Sequence, residues 1–129
     1  MTLVVVLDSI FLSDLLQRKK PVEAVLARLE SEGEPLRIPA AVWIETLHAL
    51  APRKRAEAAR ELERTVTFID VTREIADHAA RLQHELRREG SPLGWHDLQI
   101  ATTALHLEEP LVSNDEAFDS VPGLVRLEH

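Results

Sequence analysis

The chain has 129 residues, 45% of them hydrophobic, a net charge of -7 and no cysteine. That length suits one domain with a real core, and the composition excludes a disordered chain, a disulfide framework and a thiolate metal site. The opening apolar run is only about six residues long, too short for a signal-peptide core or a membrane span, so the expected setting is cytoplasmic.

Residues 3–7 read as a strand. "VVVLDS" is apolar on both faces, as a fully buried parallel strand is, yet it ends in a carboxylate, Asp8. "SIFLSDLLQRK" follows with apolar residues at 11, 12, 15 and 16, a helical spacing. Pro21 opens a second helix that closes at Gly33. A short strand, "LRI", leads to Pro39 at the first turn of a helix running through "AAVWIETLHAL" until Pro52. "RKRAEAARELER" reads as a mostly solvated helix, "VTFI" as a strand, and "TREIADHAARLQHELRREG" as a long amphipathic helix capped by Thr72 and ended by glycine. After "SPLG" comes the helix "WHDLQIATTALHL"; Pro110 ends it, and "PLVS" and "VPGLVRL" are the last strands.

Strand and helix alternate with short joins. The expected fold is therefore α/β, three-layer α/β/α with a parallel central sheet, in a single domain over residues 1–126. Leu127-Glu128-His129 reads as the start of an expression tag.

In such a sheet, ligands sit beyond the carboxyl ends of the strands. Four acids stand at places that bear on this. Asp8 ends the first strand, where it is either a helix cap or part of a site. Glu45 is the only acid between Pro35 and Ala56, in the least polar helical stretch of the chain. With Val42, Ile44, Leu47 and Ala49 taken as the buried side, it faces inward, unless it turns outward or pairs with an arginine. Asp97 lies in the first turn of a helix bare of other charge until Glu108, a comfortable place for any anion. Asp115 follows the strand "PLVS", where Asn-Asp also makes an ordinary turn. Four carboxylates brought together would raise each other's pKa, and hard divalent cations such as Mg²⁺ or Mn²⁺ suit an all-oxygen site of that kind. Metal-assisted phosphodiester hydrolysis is the chemistry that uses it.

At this point the sequence resembles the PIN domain family. Asp8-Ser9 after the first strand, Glu45 in an apolar helix, "DLQIATTAL" from Asp97 and "PLVSNDEAFDSVPGL" from Pro110 match the family's pattern in order and spacing. The length and the closing "VPGL" are similar to VapC-type toxins of bacterial toxin–antitoxin pairs. The resemblance implies a ribonuclease whose four acids are Asp8, Glu45, Asp97 and Asp115, with Ser113 as the small hydroxyl residue beginning the fourth motif. It also implies one or two Mg²⁺ or Mn²⁺ ions per site, a single-stranded RNA substrate (structured RNAs in several toxins), a homodimer, and a VapB-like antitoxin as partner. Asp8, Asp97 and Asp115 would hold the metal, Glu45 would be a ligand or act through water, and Ser113 would orient an acid or a water. One departure stands out: Ile10 occupies a place where the family commonly carries a polar residue.

The negative charge argues against a nucleic-acid partner, but arginine outnumbers lysine by 12 to 3 and is the better residue for forked phosphate contacts. Arg18, Lys19 and Lys20 are either backbone contacts or a solvated helix end. Trp43 and Trp95 flank proposed acids and could stack a base, although packing between helices is the expected role of both. His96 reads as an exposed first-turn histidine. Two alternatives remain: a non-catalytic module on a PIN scaffold, and a receiver-like signalling domain. The second lacks the late lysine it needs, since none follows Lys54.

Overall fold

A computed structural model describes residues 5–8 and 36–128. The two helices expected between residues 9 and 33, with Ser9, Ile10 and the cations Arg18, Lys19 and Lys20, lie outside the described residues. The described elements are β1 (Val5–Leu7), β2 (Leu36–Pro39), α1 (Ala40–His48), α2 (Pro52–Thr65), β3 (Thr67–Ile69), α3 (Arg73–Arg88), α4 (Trp95–Leu107), β4 (Leu111–Val112), a 3-10 turn (Glu116–Ser120) and β5 (Arg126–Leu127).

The five strands form one sheet in the order β3-β2-β1-β4-β5, and every pairing is parallel. Register is set at the centre, where Val6 lies opposite Arg37 on one side and Leu111 on the other. The central strands bury Val6, Leu7, Ile38 and Leu111 completely. Leu62, Leu86, Leu98 and Ile100 from the helices join the same cluster, each worth about 1.5–3 kcal/mol in buried apolar surface. The parallel α/β plan read from the sequence is the one observed.

Local chemistry explains the helix ends. The Ile75 N–H donates to Thr72 Oγ1 at 3.2 Å, the expected cap of α3. At the other end, Gly90 takes φ +77° and lets the Ser91 N–H reach back to the Leu86 carbonyl at 2.8 Å. Arg55 of α2 donates from Nε to the Leu47 and Leu50 carbonyls at 3.0 and 3.1 Å, closing the C-terminal end of α1. Pro39 ends β2 and serves as the N-cap of α1, one place earlier than the first-turn position expected. The last strand is shorter than "VPGLVRL" suggested, because residues 121–125 turn before pairing begins at Arg126. Leu127 pairs with Val112 and packs on the core.

α3 and α4 form an antiparallel hairpin. Glu74 at the start of α3 stands 3.8 Å from His106 at the end of α4, and Arg87 at the end of α3 lies over Trp95 at the start of α4. Their connection is clamped by Gln83, which is buried. Its Nε2 donates to the Leu93 carbonyl at 2.6 Å, and its Oε1 accepts from the Leu93 N–H at 3.2 Å. Among the described residues, no helix is long and apolar enough to cross a membrane.

Candidate active site at the sheet's switch point

The chain lays down β1, β2 and β3 toward one edge of the sheet, then returns to place β4 on the other side of β1. β1 and β4 are therefore the switch point of the sheet, and the crevice expected of such a fold lies beyond their carboxyl ends. The Asp8 N–H donates to the Val112 carbonyl at 3.3 Å, which draws those two ends together. Asp8 is buried there, and Ser113, the first residue after β4, is fully buried.

The loop after β4 is tightly specified. The Asp115 N–H donates to Ser113 Oγ at 3.1 Å, and Asp115 Oδ1 accepts from the Ala117 N–H at 2.9 Å, capping the 3-10 turn. Asp115 is thus both the ordinary cap and a carboxylate held at the crevice. Arg126 adds a support that sequence reading missed. It forks onto Asp119 at 2.8 and 2.9 Å, and its Nη1 donates to the Ser113 carbonyl at 3.2 Å. That hydrogen-bonded fork holds the Asp119 carboxyl below its usual range. The only sequence signal was an arginine and an aspartate seven residues apart in a segment read as turn and strand.

Asp97 occupies the first turn of α4 and is half-buried. Its carboxyl is pushed above the usual range, first by burial and then by the negative charges of Asp115, Glu45 and Asp8; His96, which is exposed as expected, offsets this in part. Asp97 therefore stands where the fields of the other three acids overlap.

Glu45 takes part from a different orientation than the sequence suggested. The buried positions of α1 are Ala41, Val42 and Thr46, while Ile44 is 59% exposed and Glu45 and Ala49 are exposed. The 42–46 spacing puts one stripe on the core and turns 44 and 45 away from it. Glu45 is thus a rim carboxylate within electrostatic reach of Asp97, not an inward one. Trp43 packs on the core and meets Phe68 edge-on at 5.3 Å, as expected. Trp95 does not pack between helices: it is 63% exposed.

The donor set is all oxygen and negatively charged, which fits a hard divalent cation. Among the described residues, no group of three or more potential ligands is gathered closely enough to hold a metal ion. A spread set still fits Mg²⁺, which keeps several waters and takes only one or two carboxylates directly.

Residues 5–124 match the family model of the PIN domain. A comparison with curated proteins finds no match. Among solved structures, the chain is similar to VapBC2 from Rickettsia felis bound to a DNA fragment from its promoter, with a TM-score of 0.86 and 18% identity over 98% of this chain and 99% of that one. DNA-bound VapBC from Salmonella typhimurium gives 0.83 and 20%, and VapBC-1 from nontypeable Haemophilus influenzae gives 0.82 and 20%, each over 98% of both chains. At these identities the likeness shows the fold.

Proposed function

Because the chain belongs to the PIN domain family, we propose that it is a divalent-metal-dependent endoribonuclease, the toxin of a VapBC-type pair. Nuclease activity and divalent cations are usual for that family, and membership in it leaves no place for a receiver domain. The observation that carries the reading is the place of Asp97, half-buried in the first turn of α4 and within electrostatic reach of Asp115, Glu45 and Asp8. Nothing in the fold requires four acids to share one field, since an acid opening α4 could face open solvent. Mutual repulsion is tolerated where a bound cation relieves it.

Asp8, Asp97 and Asp115 would hold the cation, with Glu45 reaching it from the rim. When bound, Mg²⁺ or Mn²⁺ supplies a Lewis acid that lowers the pKa of water and neutralises charge growing on the phosphoryl oxygens. The rest is positioning. Asp8 is fixed by its place between β1 and β4, and Asp115 by Ser113 and by its own capping bond. Ser113 also orients the loop through the carbonyl that Arg126 holds. Glu45 and Asp115 are exposed, where a strand of RNA would reach them, and Asp8 is buried.

The homodimer and the VapB-like antitoxin are part of the same proposal, as is a cytoplasmic setting. The likeness to solved VapBC assemblies supports the antitoxin. Incubation of the purified chain with total RNA and Mn²⁺, beside a chelator control, tests the chemistry. Cleavage that the chelator stops is the expected result. Titration with Mn²⁺ in a calorimeter separates the non-catalytic module, which would take up no ion; intact RNA and a flat titration together would overturn the proposal.

A further inference from the structure

A second feature lies on the other side of α4 from Asp97. Trp95 and Asp97 are two residues apart on one helical turn, so their side chains leave the axis about 200° apart. Trp95 faces the groove where α3 meets α4. That groove has a volume of about 590 Å³, and its lining includes Val71, Ile75, His84, Arg87, Trp95 and Gln99.

Three properties of the groove point to one kind of occupant. Among the described residues its lining contains no aspartate or glutamate, although the chain holds 22 of them against 15 lysines and arginines. The charged or chargeable groups among the described residues that line it are Arg87 and His84, partners an anionic strand favours. Trp95 is 63% exposed, and the Arg87 guanidinium lies 5.9 Å from the centre of its ring. A cation over one part of an indole restrains it without hiding it. An exposed aromatic beside an arginine is the equipment with which proteins hold unpaired bases. The loop that presents Trp95 is also rigid, because buried Gln83 holds both polar groups of the Leu93 backbone.

We propose that Trp95, restrained by Arg87, is a stacking platform for an unpaired base of an RNA strand that crosses the start of α4. This inference rests on the ribonuclease reading and adds to it a positioning residue. The strand would lie over the α4 amino terminus with its scissile phosphate on the Asp97 side. A neighbouring base would drop into the groove on the Trp95 side.

The test uses a fluorescently labelled single-stranded oligoribonucleotide, titrated by anisotropy in chelator so that nothing is cut. Trp95→Ala should weaken binding by roughly 5- to 150-fold, the range that base–aromatic stacking commands, and Trp95→Phe should restore most of it. An oligonucleotide carrying abasic sites should bind the native chain and Trp95→Ala alike. With Mn²⁺, the alanine variant should raise KM for RNA cleavage and leave kcat nearly unchanged.

Equal binding of intact RNA by the native chain and Trp95→Ala would overturn the inference while leaving ribonuclease activity in place. So would a loss equally large on abasic RNA, which would mark Trp95 as structural. A variant that changes from dimer to monomer in sedimentation, with its RNA affinity intact, would assign the groove to a second copy of the chain. If the native chain cuts no RNA but the Trp95-dependent binding persists, the cleavage reading fails and the platform stands. No binding of RNA by the native chain would end both.

Discussion

Asp97 and Asp119 are the same residue in two regions that treat it in opposite ways. At the switch point, Asp97 meets burial and three other acids, and its carboxyl is raised above the usual range. In the strap after β4, Asp119 meets the Arg126 fork, and its carboxyl is lowered. A charge placed against its own kind weakens the fold, whereas a charge placed against a guanidinium strengthens it, modestly at an exposed site. The difference separates the region proposed to take a cation from one arranged for shape.

The sharpest way to break that contrast is Asp97→Asn. Cleavage of RNA in Mn²⁺ should fall by more than the roughly 100-fold that loss of a ligand's supporting partner costs. The same variant should melt at a higher temperature than the native chain in chelator. A raised carboxylate binds its proton more tightly in the folded state, so stability falls as pH rises through the window between the unfolded and folded values. Above the folded value that deficit is complete, and asparagine removes it. Undiminished cleavage would take Asp97 out of the mechanism, and an unchanged melting temperature would deny the crowding.

Addition of Mn²⁺ sharpens the same point. An ion that binds only the folded chain stabilises it by about 2.7 kcal/mol at a hundred times its Kd. The melting temperature of the native chain should rise with Mn²⁺, and that of Asp97→Asn should rise much less. Equal shifts in both would place the ion elsewhere.

A change of pH should move the two aspartates in opposite directions. Between neutral pH and about pH 4, near the ordinary carboxylate value, the melting-temperature gap between Asp97→Asn and the native chain should close as Asp97 gains its proton. The contribution of Asp119 should persist over that range and be lost only as pH falls through its lowered value.

The smallest effect belongs to Asp119→Asn. It should lower the melting temperature slightly at neutral pH, less so in high salt, since an exposed pair is screened. It should also slow cleavage slightly, because Arg126 then holds the Ser113 carbonyl with less constraint. A loss of activity as large as that of Asp97→Asn would show that the strap belongs to the chemistry.

Much of the fold was legible because its signals are local. The β-branched run before Asp8, the Thr72 cap and the glycine after α3 each declare themselves within a few residues. The candidate acids were legible for a related reason, as carboxylates at strand ends or in segments poor in other charge. What failed was the orientation of side chains around a helix. In α1, apolar residues occupy both the buried stripe and the exposed face, so periodicity alone mistook Ile44 for core and turned Glu45 inward. Trp95 misled in the same way, since a tryptophan usually packs and only the arrangement of α3 against α4 leaves it open. Arg126 escaped notice because its partners, Asp119 and the Ser113 carbonyl, meet it through a turn and a strand pairing.

By itself the sequence determined the α/β class and the order of the described elements and singled out the candidate acids, since capping, spacing and β-branching act over short distances. Only the tertiary structure decided which of those acids share a field and which neighbours Trp95 keeps. The return of β4 to the far side of β1 joins residues more than a hundred positions apart in the chain, and no local pattern encodes that pairing.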